Sequence, residues 1–365
     1  MIRLAHIVET YAAELIAQYG GSLLPSQWAA LNALQTCRSS MSPKMQLACD
    51  DCTEQSFLPH SCGHRSCPHC QAHESQRWID QQMQKLIPGN YFMVTFTLPA
   101  QFRALAWQHQ RVMYDLITRS AWETVNTFSQ NDKKLRGSTG AVTVLHTHSR
   151  RLDYHPHVHL VMPAAAFDKK RRRWRNKDGG YLFNHTALAK VFRAKLLEEI
   201  KQAGLKLPER YPEEWVVDCK EVGSGQQALI YLGRYLYRGV IQEKNILSCD
   251  NGRVTFRYQN SQTKQTETRT LSGVAFLRLI LQHILPKSYR RARNFGFLHP
   301  NSKLVQLVQL LKRVVIPPPK PRPTIHCKCC GGVMKIVRTR IKPVFARQFA
   351  PGNCGQGGAE SEMAM

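Results

Sequence analysis

The sequence predicts an α+β chain in which a helical, cysteine-rich N-terminal module precedes a larger core of strands and helices. Three observations predict it. Apolar residues at helical spacing fill residues 1–36, and cysteines and histidines crowd residues 37–73. From Tyr91 onward, β-rich runs are interspersed with helical stretches as far as residue 285.

The first 36 residues read as two helices broken at Tyr19, Gly20 and Gly21. A helical stretch then runs to about Leu86, and Pro88, Gly89 and Asn90 mark a turn. Tyr91–Leu98 (YFMVTFTL) is a strong strand signal, rich in aromatic and β-branched residues. A helix is expected over 101–127, with strands near 140–147 and 155–162. Further helices are expected at 185–203, 224–238 and 272–285, and strands at 215–218 and within 246–270. The run PPPKPRP at 317–323 cannot continue a helix and reads as an extended linker. The Gly-rich tail after Pro351 reads as disordered. The expected division is therefore a helical and cysteine-rich module over 1–88, a core of strands and helices over 89–315, and a linker, cysteine knuckle and tail over 316–365.

Charge narrows the partner class. Fifty-one Lys and Arg against 25 Asp and Glu leave a formal net charge of +26 over 365 residues, which predicts salt-sensitive attraction to a polyanion. The densest run includes Lys169, Lys170, Arg171, Arg172, Arg173 and Trp174 and is expected to turn at Asp178, Gly179 and Gly180. It reads either as a solvated hairpin or as a phosphate-contacting arm with Trp174 available to stack on bases. The most apolar stretch, Val274 to Leu285, is too short to span a bilayer and is broken by Arg278, Gln282 and His283. Glu9 and Glu14 interrupt the N-terminal apolar run that a signal peptide would need. The expected place is the cytoplasm, with no membrane partner. In such a compartment the twelve cysteines read as metal ligands and not as disulfides.

Cys49-x2-Cys52 and Cys67-x2-Cys70 stand fourteen residues apart, and two such pairs can close one tetrahedral site of four thiolates around structural Zn2+. Cys37 and Cys62 lie close enough in sequence to substitute a ligand or hold a second ion. Cys327, Cys329 and Cys330 look like half of a knuckle, either a partial metal site or a non-binding remnant. Cys219 and Cys249 read as structural.

His157 and His159 lie two apart on a predicted strand, so both side chains face one side and can approach one metal ion while Val158 points to the core. Downstream, Tyr231 and Tyr235 fall at i and i+4 of a predicted helix that also carries Arg234 and Arg238. Each motif alone has an ordinary explanation, polar surface for the first and an aromatic packing stripe for the second. Together they make chemistry. A tyrosine hydroxyl, with a pKa of about 10, is a weak nucleophile at neutral pH. An imidazole-held divalent ion can polarise a scissile phosphate and stabilise the charge that develops there. Two imidazoles are too few for Mg2+ or Mn2+, so a third ligand is expected, His146 first, with His148, Asp153 and Gln227 as alternatives.

At these residues the chain resembles the rolling-circle transposases of the insertion sequence ninety-one family, within the two-tyrosine HUH endonuclease group. The matching segments stand in the family's order across most of residues 30–332: CDDC and SCGHRSCPHC, YFMVTFTLP, LHTHSRRLDYHPHVHLVM, YLGRYLYR and LQHILPKSYRRARNFGFL. The resemblance implies a catalytic core of antiparallel sheet flanked by helices, with the histidines on a central strand. It implies Tyr231 and Tyr235 as nucleophiles forming 5′-phosphotyrosine links, and His157 and His159 as metal ligands. The implied partner is DNA, especially the single-stranded ends of a transposon and its target. Departures are His148, where a bulky aromatic is expected, and the Cys-Lys-Cys-Cys order of the C-terminal knuckle. Two rival readings are a zinc-containing nucleic-acid-binding regulator without catalysis, and a metal-dependent phosphodiesterase that uses water.

Overall fold

Leu4, Ile7, Val8, Tyr11 and Leu15 recur at helical spacing and form the buried stripe of α1 (Leu4–Tyr19) in the computed structural model, which describes residues 2–237, 239–260, 263–314, 318 and 324–342. The expected break follows as a single turn at Gly20–Ser22, and α2 (Pro25–Thr36) begins on a proline whose fixed φ suits a first helical position. β1 (Lys44–Cys49) and β2 (Gln55–Pro59) form a hairpin. α3 (Ala72–Met83) leads to β3 (Tyr91–Thr97). The helix expected over 101–127 is two, α4 (Arg103–Gln108) and α5 (Gln110–Asn131), because His109 leaves helical geometry at φ −120° and ψ 46°.

β4 (Gly140–His148) and β5 (Tyr154–Pro163) come next, followed by a small hairpin of β6 (Ala165–Asp168) and β7 (Arg173–Asn176). α6 (His185–Gln202) is capped by Asn184, whose Oδ1 accepts the Ala187 N–H at 2.9 Å. β8 (Val217–Glu221) precedes α7 (Gln226–Tyr237). β9 (Ile246–Asp250), β10 (Arg253–Gln259) and β11 (Thr266–Ser272) form an antiparallel meander that runs into α8 (Gly273–Leu281). The remaining elements are β12 (Ala292–Gly296), α9 (Leu304–Leu311), β13 (Ile325–His326) and β14 (Val333–Ile341).

The central sheet has the order β12-β4-β5-β3-β8, antiparallel throughout, so β5 is its middle strand. Alternation along β5 divides its side chains. Val158, Leu160 and Met162 pack with residues of α5 and α6 such as Ile117, Ala121 and Phe192. On the opposite face Val142, Val144 and Val161 pack under Leu229, Leu232 and Leu236 of α7 and Trp78 and Ile79 of α3. His157 and His159 share the α7 face, by the same alternation.

Two expected boundaries are crossed. Ile7 and Leu31 of the N-terminal helices share a core with Phe256 of β10 and Leu277 of α8. Residues 324–342, expected as part of a separate C-terminal unit, lie in a sheet of order β13-β14-β1-β2 with the N-terminal hairpin. The proline-rich run, Pro318 apart, and the tail after Pro351 lie outside the described residues. No helix among the described residues is long and apolar enough to cross a membrane.

Candidate active site and metal centres

Register brings the third histidine to the other two. His146 of β4 stands opposite His157 of β5, and Val144 and Thr95 flank His159 from the two neighbouring strands. Side chains of paired residues share a face. One ring nitrogen from each of His146, His157 and His159 lies within 4.8 Å of the others. The Nδ1–H of His157 donates to the His155 carbonyl at 2.7 Å, which leaves Nε2 with its lone pair. His159 Nδ1 is 2.9 Å from Thr95 Oγ1, again leaving Nε2 outward. The Nε2 of His146 is buried without a hydrogen-bond partner, a costly arrangement unless an ion takes the lone pair. Burial holds all three rings neutral at pH 7. It pushes His157 down to about 3, with His159 adding to the effect, and His159 to about 4, with Asp218 pulling the other way. His146 lies well below its ordinary value for the same reason. Three neutral imidazoles converging on one point fit a divalent ion. Of the four residues considered as third ligand, His146 alone stands in this group; Asp153 is instead paired with Arg269 at 2.8 Å.

The tyrosine helix lies against this face. Gly233 sets how closely α7 approaches α3: a Cβ there would sit 2.3 Å from Ile79 Cγ1, and Ser75 Oγ donates to the Gly233 carbonyl at 2.9 Å. Tyr231 and Tyr235 then point toward the histidines but occupy different depths. The Tyr235 ring stacks on His146, with centroids 3.3 Å apart and planes 10° from parallel. Its hydroxyl is 2.8 Å from His148 Nδ1, so the residue that departs from the expected aromatic is its hydrogen-bond partner. Burial pushes that hydroxyl well above its usual pKa, while Arg291 pulls it down. The Arg291 guanidinium lies 5.0 Å from the Tyr235 ring centre and donates to the carbonyls of Leu145 and Leu236 at 2.8 and 3.4 Å. Tyr231 is 48% exposed, its ring centre 6.1 Å from that of His159 and 6.3 Å from that of His146.

Beside the two tyrosines opens a cleft of about 500 Å³, whose walls include Arg150, Arg234, Arg257 and Tyr258. Arg234 had been expected on charge grounds; Arg238 lies outside the described residues. Arg150, Arg257, Tyr258 and Arg291 are contributions that the sequence alone does not single out, because they come from the β4–β5 turn, the meander and the residue before β12, whereas His148, an alternative third ligand by sequence, ends β4. The basic run forms a hairpin that turns at 169–172 and not at Asp178. Lys169, Lys170, Arg171, Arg172 and Arg173 are all exposed, and Arg171 also pairs with Asp168 at 3.4 Å. Trp174 is half-buried; it packs edge-on against Phe297 at 4.9 Å and its indole N–H donates to Asn176 Oδ1 at 2.8 Å. Phe297 comes from beyond β12 and could not be anticipated from local pattern.

The cysteines do not form the expected single site. Cys49-x2-Cys52 and Cys67-x2-Cys70 fall into different groups, Cys67 and Cys70 joining Cys37 and Cys62, and Cys49 and Cys52 joining Cys327 and Cys330. The β1–β2 hairpin explains the separation, because its tip carries Cys49 and Cys52 to the sheet shared with β14, while the return through β2 leads residues 60–70 back to the end of α2. In the first group the Cys37 Sγ lies 3.4 Å from Cys67 Sγ and from Cys70 Sγ. That loop also reaches the segment before β12 and the end of α7: Arg65 donates to the Tyr289 carbonyl at 2.8 Å, and a Cβ at Gly239 would stand 2.8 Å from the Ser66 carbonyl oxygen.

Comparison with known proteins matches these regions. The family described as "Putative transposase" matches residues 140–304, which hold the histidines and the tyrosine helix. The family described as "Transposase zinc-binding domain" matches residues 7–98. The chain is 31% identical over 333 residues to "Putative transposase y4qJ" of Sinorhizobium fredii, covering 84% of this chain and 83% of that one. It is 26% identical over 292 residues to the transposase for insertion sequence element IS801 of Pseudomonas savastanoi pv. phaseolicola, covering 75% of this chain and 70% of that one. Two structures of the conjugative relaxase TrwC with OriT DNA align at 21% and 16% identity, over 34% and 62% of this chain and 48% and 73% of theirs. Both have a TM-score of 0.26, too low to speak for a shared fold. On the extent and identity of the first relative and the two family matches, the chain belongs to the insertion sequence ninety-one family of transposases.

Proposed function

We propose that this transposase nicks and rejoins single-stranded DNA through 5′-phosphotyrosine intermediates, with Tyr231 and Tyr235 as nucleophiles. The observation that carries the reading is the placement of both tyrosines of α7 beside the cluster of His146, His157 and His159, with ring contacts to His146 and His159. These three residues would hold a divalent ion, which when bound supplies Lewis-acid polarisation of the scissile phosphate. The ion read here is Mg2+ or Mn2+, with water or phosphate oxygens completing its coordination.

The chain's own residues supply the rest. Arg150, Arg234 and Arg257 line the cleft and would seat the phosphates on either side of the cut. The Tyr hydroxyl gives up its proton as its oxygen bonds to phosphorus. The bond from phosphorus to the 3′-side oxygen breaks, and that oxygen leaves as a hydroxyl. A DNA 3′-hydroxyl attacking the same phosphorus reverses the sequence and frees the tyrosine, so joining needs no nucleotide cofactor. At Tyr235, His148 is within reach to take the proton and Arg291 stands by to offset charge on the phenolate.

The test is incubation of the full chain with labelled single-stranded DNA from the ends of its element, with Mn2+ or Mg2+, followed by a denaturing gel. A covalent protein–DNA band, absent from a Tyr231→Phe, Tyr235→Phe double variant, is the expected result. Cleavage under single-turnover conditions without such a band would replace it with hydrolysis by water. Binding without cleavage would leave a regulator.

A further inference from the structure

We infer that Cys49, Cys52, Cys327 and Cys330 form a second zinc site, separate from that of Cys37, Cys62, Cys67 and Cys70, which ties the C-terminal ribbon to the N-terminal hairpin across the whole catalytic domain. Their four sulfurs lie within 4.8 Å of one another. The cross-pair separations are 3.5 Å for Cys49–Cys330 and 3.5 Å for Cys52–Cys327. Zn–S bonds of about 2.3 Å in a tetrahedron put sulfurs roughly 3.8 Å apart, so little adjustment is needed.

The backbone around the C-terminal pair is already shaped for thiolate. The Cys329 N–H donates to Cys327 Sγ and the Gly332 N–H to Cys330 Sγ, both at 3.4 Å. The Gly331 N–H turns back to the Cys327 carbonyl at 3.0 Å, with Gly331 in the left-handed region at φ +76°. The C-terminal sequence therefore contains a regular Cys-x2-Cys, Cys327 and Cys330, in which exposed Cys329 contributes only its amide. The two knuckles also meet directly. A Cβ at Gly332 would stand 2.0 Å from Asp51 Oδ2, and Lys335 is paired with Asp50.

Packing alone gives this ribbon little to stand on. Its buried core is Leu47, Cys49, Cys327 and Met334, and two of those four are the proposed ligands. A sheet with so small a core needs a staple, and ligation of an ion by all four thiolates contributes folding free energy directly.

The test is zinc content per chain, measured by elemental mass spectrometry on the full-length protein and read as a difference between variants, which does not depend on whether the protein cuts DNA. Cys327→Ser, Cys330→Ser should hold one ion fewer than the parent, and Cys329→Ser the same number. Equal counts in parent and double variant would overturn the assignment, as would a parent of intact mass showing Cys49 and Cys52 disulfide-bonded to the C-terminal pair. Should the double variant not fold, a protease site inserted after Pro318 in the otherwise unaltered chain decides. After cutting, the fragment carrying Cys327 and Cys330 should co-elute with the remainder in zinc and separate from it in chelator. Separation in zinc would count against the site.

Discussion

Tyr231 and Tyr235 are chemically the same side chain held in different states of readiness. Tyr231 is 48% exposed at the mouth of an arginine-lined cleft, where a strand can reach it without rearrangement. Tyr235 stacks on His146, and its hydroxyl is already engaged by His148. We expect Tyr231 to make the first cut. Tyr231→Phe should abolish the first covalent adduct, while Tyr235→Phe should still form it but fail to hold a second strand; adducts resolved by peptide mapping would show which residue carries DNA, and a first adduct on Tyr235 would reverse the order. A second prediction concerns Thr95, whose hydroxyl fixes the His159 ring at 2.9 Å. Thr95→Val keeps the shape and removes that tether, so Mn2+ binding measured by calorimetry should weaken by about 10–100-fold. Unchanged affinity would mean the ring is held by packing alone.

At the scale of elements, the tyrosines reach the histidines only because α7 lies close against α3 and the sheet. Gly233 permits this, with Ile79 Cγ1 2.3 Å from where a Cβ would stand. Gly233→Ala should therefore destabilise the protein by about 1–3 kcal/mol through overpacking, despite alanine's better helix propensity, and displace both tyrosines. Urea denaturation checks the first part; a more stable variant would mean α3 yields freely. This element also marks what the sequence could disclose. The spacing of Tyr231 and Tyr235 and of His157 and His159 was legible, because helical and strand periods are local properties of the chain. The partnership of His146 with them depends on the β4–β5 register, and a slip of one residue would have turned its ring to the other face. The cysteine pairs were legible as ligands but not as partners, since Cys327 meets Cys52 across 275 positions of chain. Likewise the packing of Trp174 on Phe297 is a tertiary contact that no local window contains.

Over the whole molecule the excess of positive charge is +26, but its functional share should be concentrated where the cleft and the active site meet. Lys and Arg spread over the surface raise the rate of encounter with any polyanion and contribute to affinity for every sequence alike. Residues that seat particular phosphates act differently, because each contact releases counterions and adds a defined amount to the salt dependence. On single strands that amount is about 0.7 in the slope of log affinity against log salt concentration. Arg234 is exposed on α7 one position before Tyr235, and Arg150, from the turn after β4, lines the same cleft. If both contact phosphates in the bound strand, Arg150→Ala, Arg234→Ala should flatten the slope by about 1.4. Removing two exposed cations from the basic hairpin, Lys169→Ala and Lys170→Ala, separates the two kinds of charge. Should that pair flatten the slope as much while the cleft pair leaves it unchanged, the strand would run over the hairpin, and the cleft beside the tyrosines would not be its path. Fluorescence anisotropy with a labelled single strand, over roughly 50–200 mM salt, measures both slopes in one series.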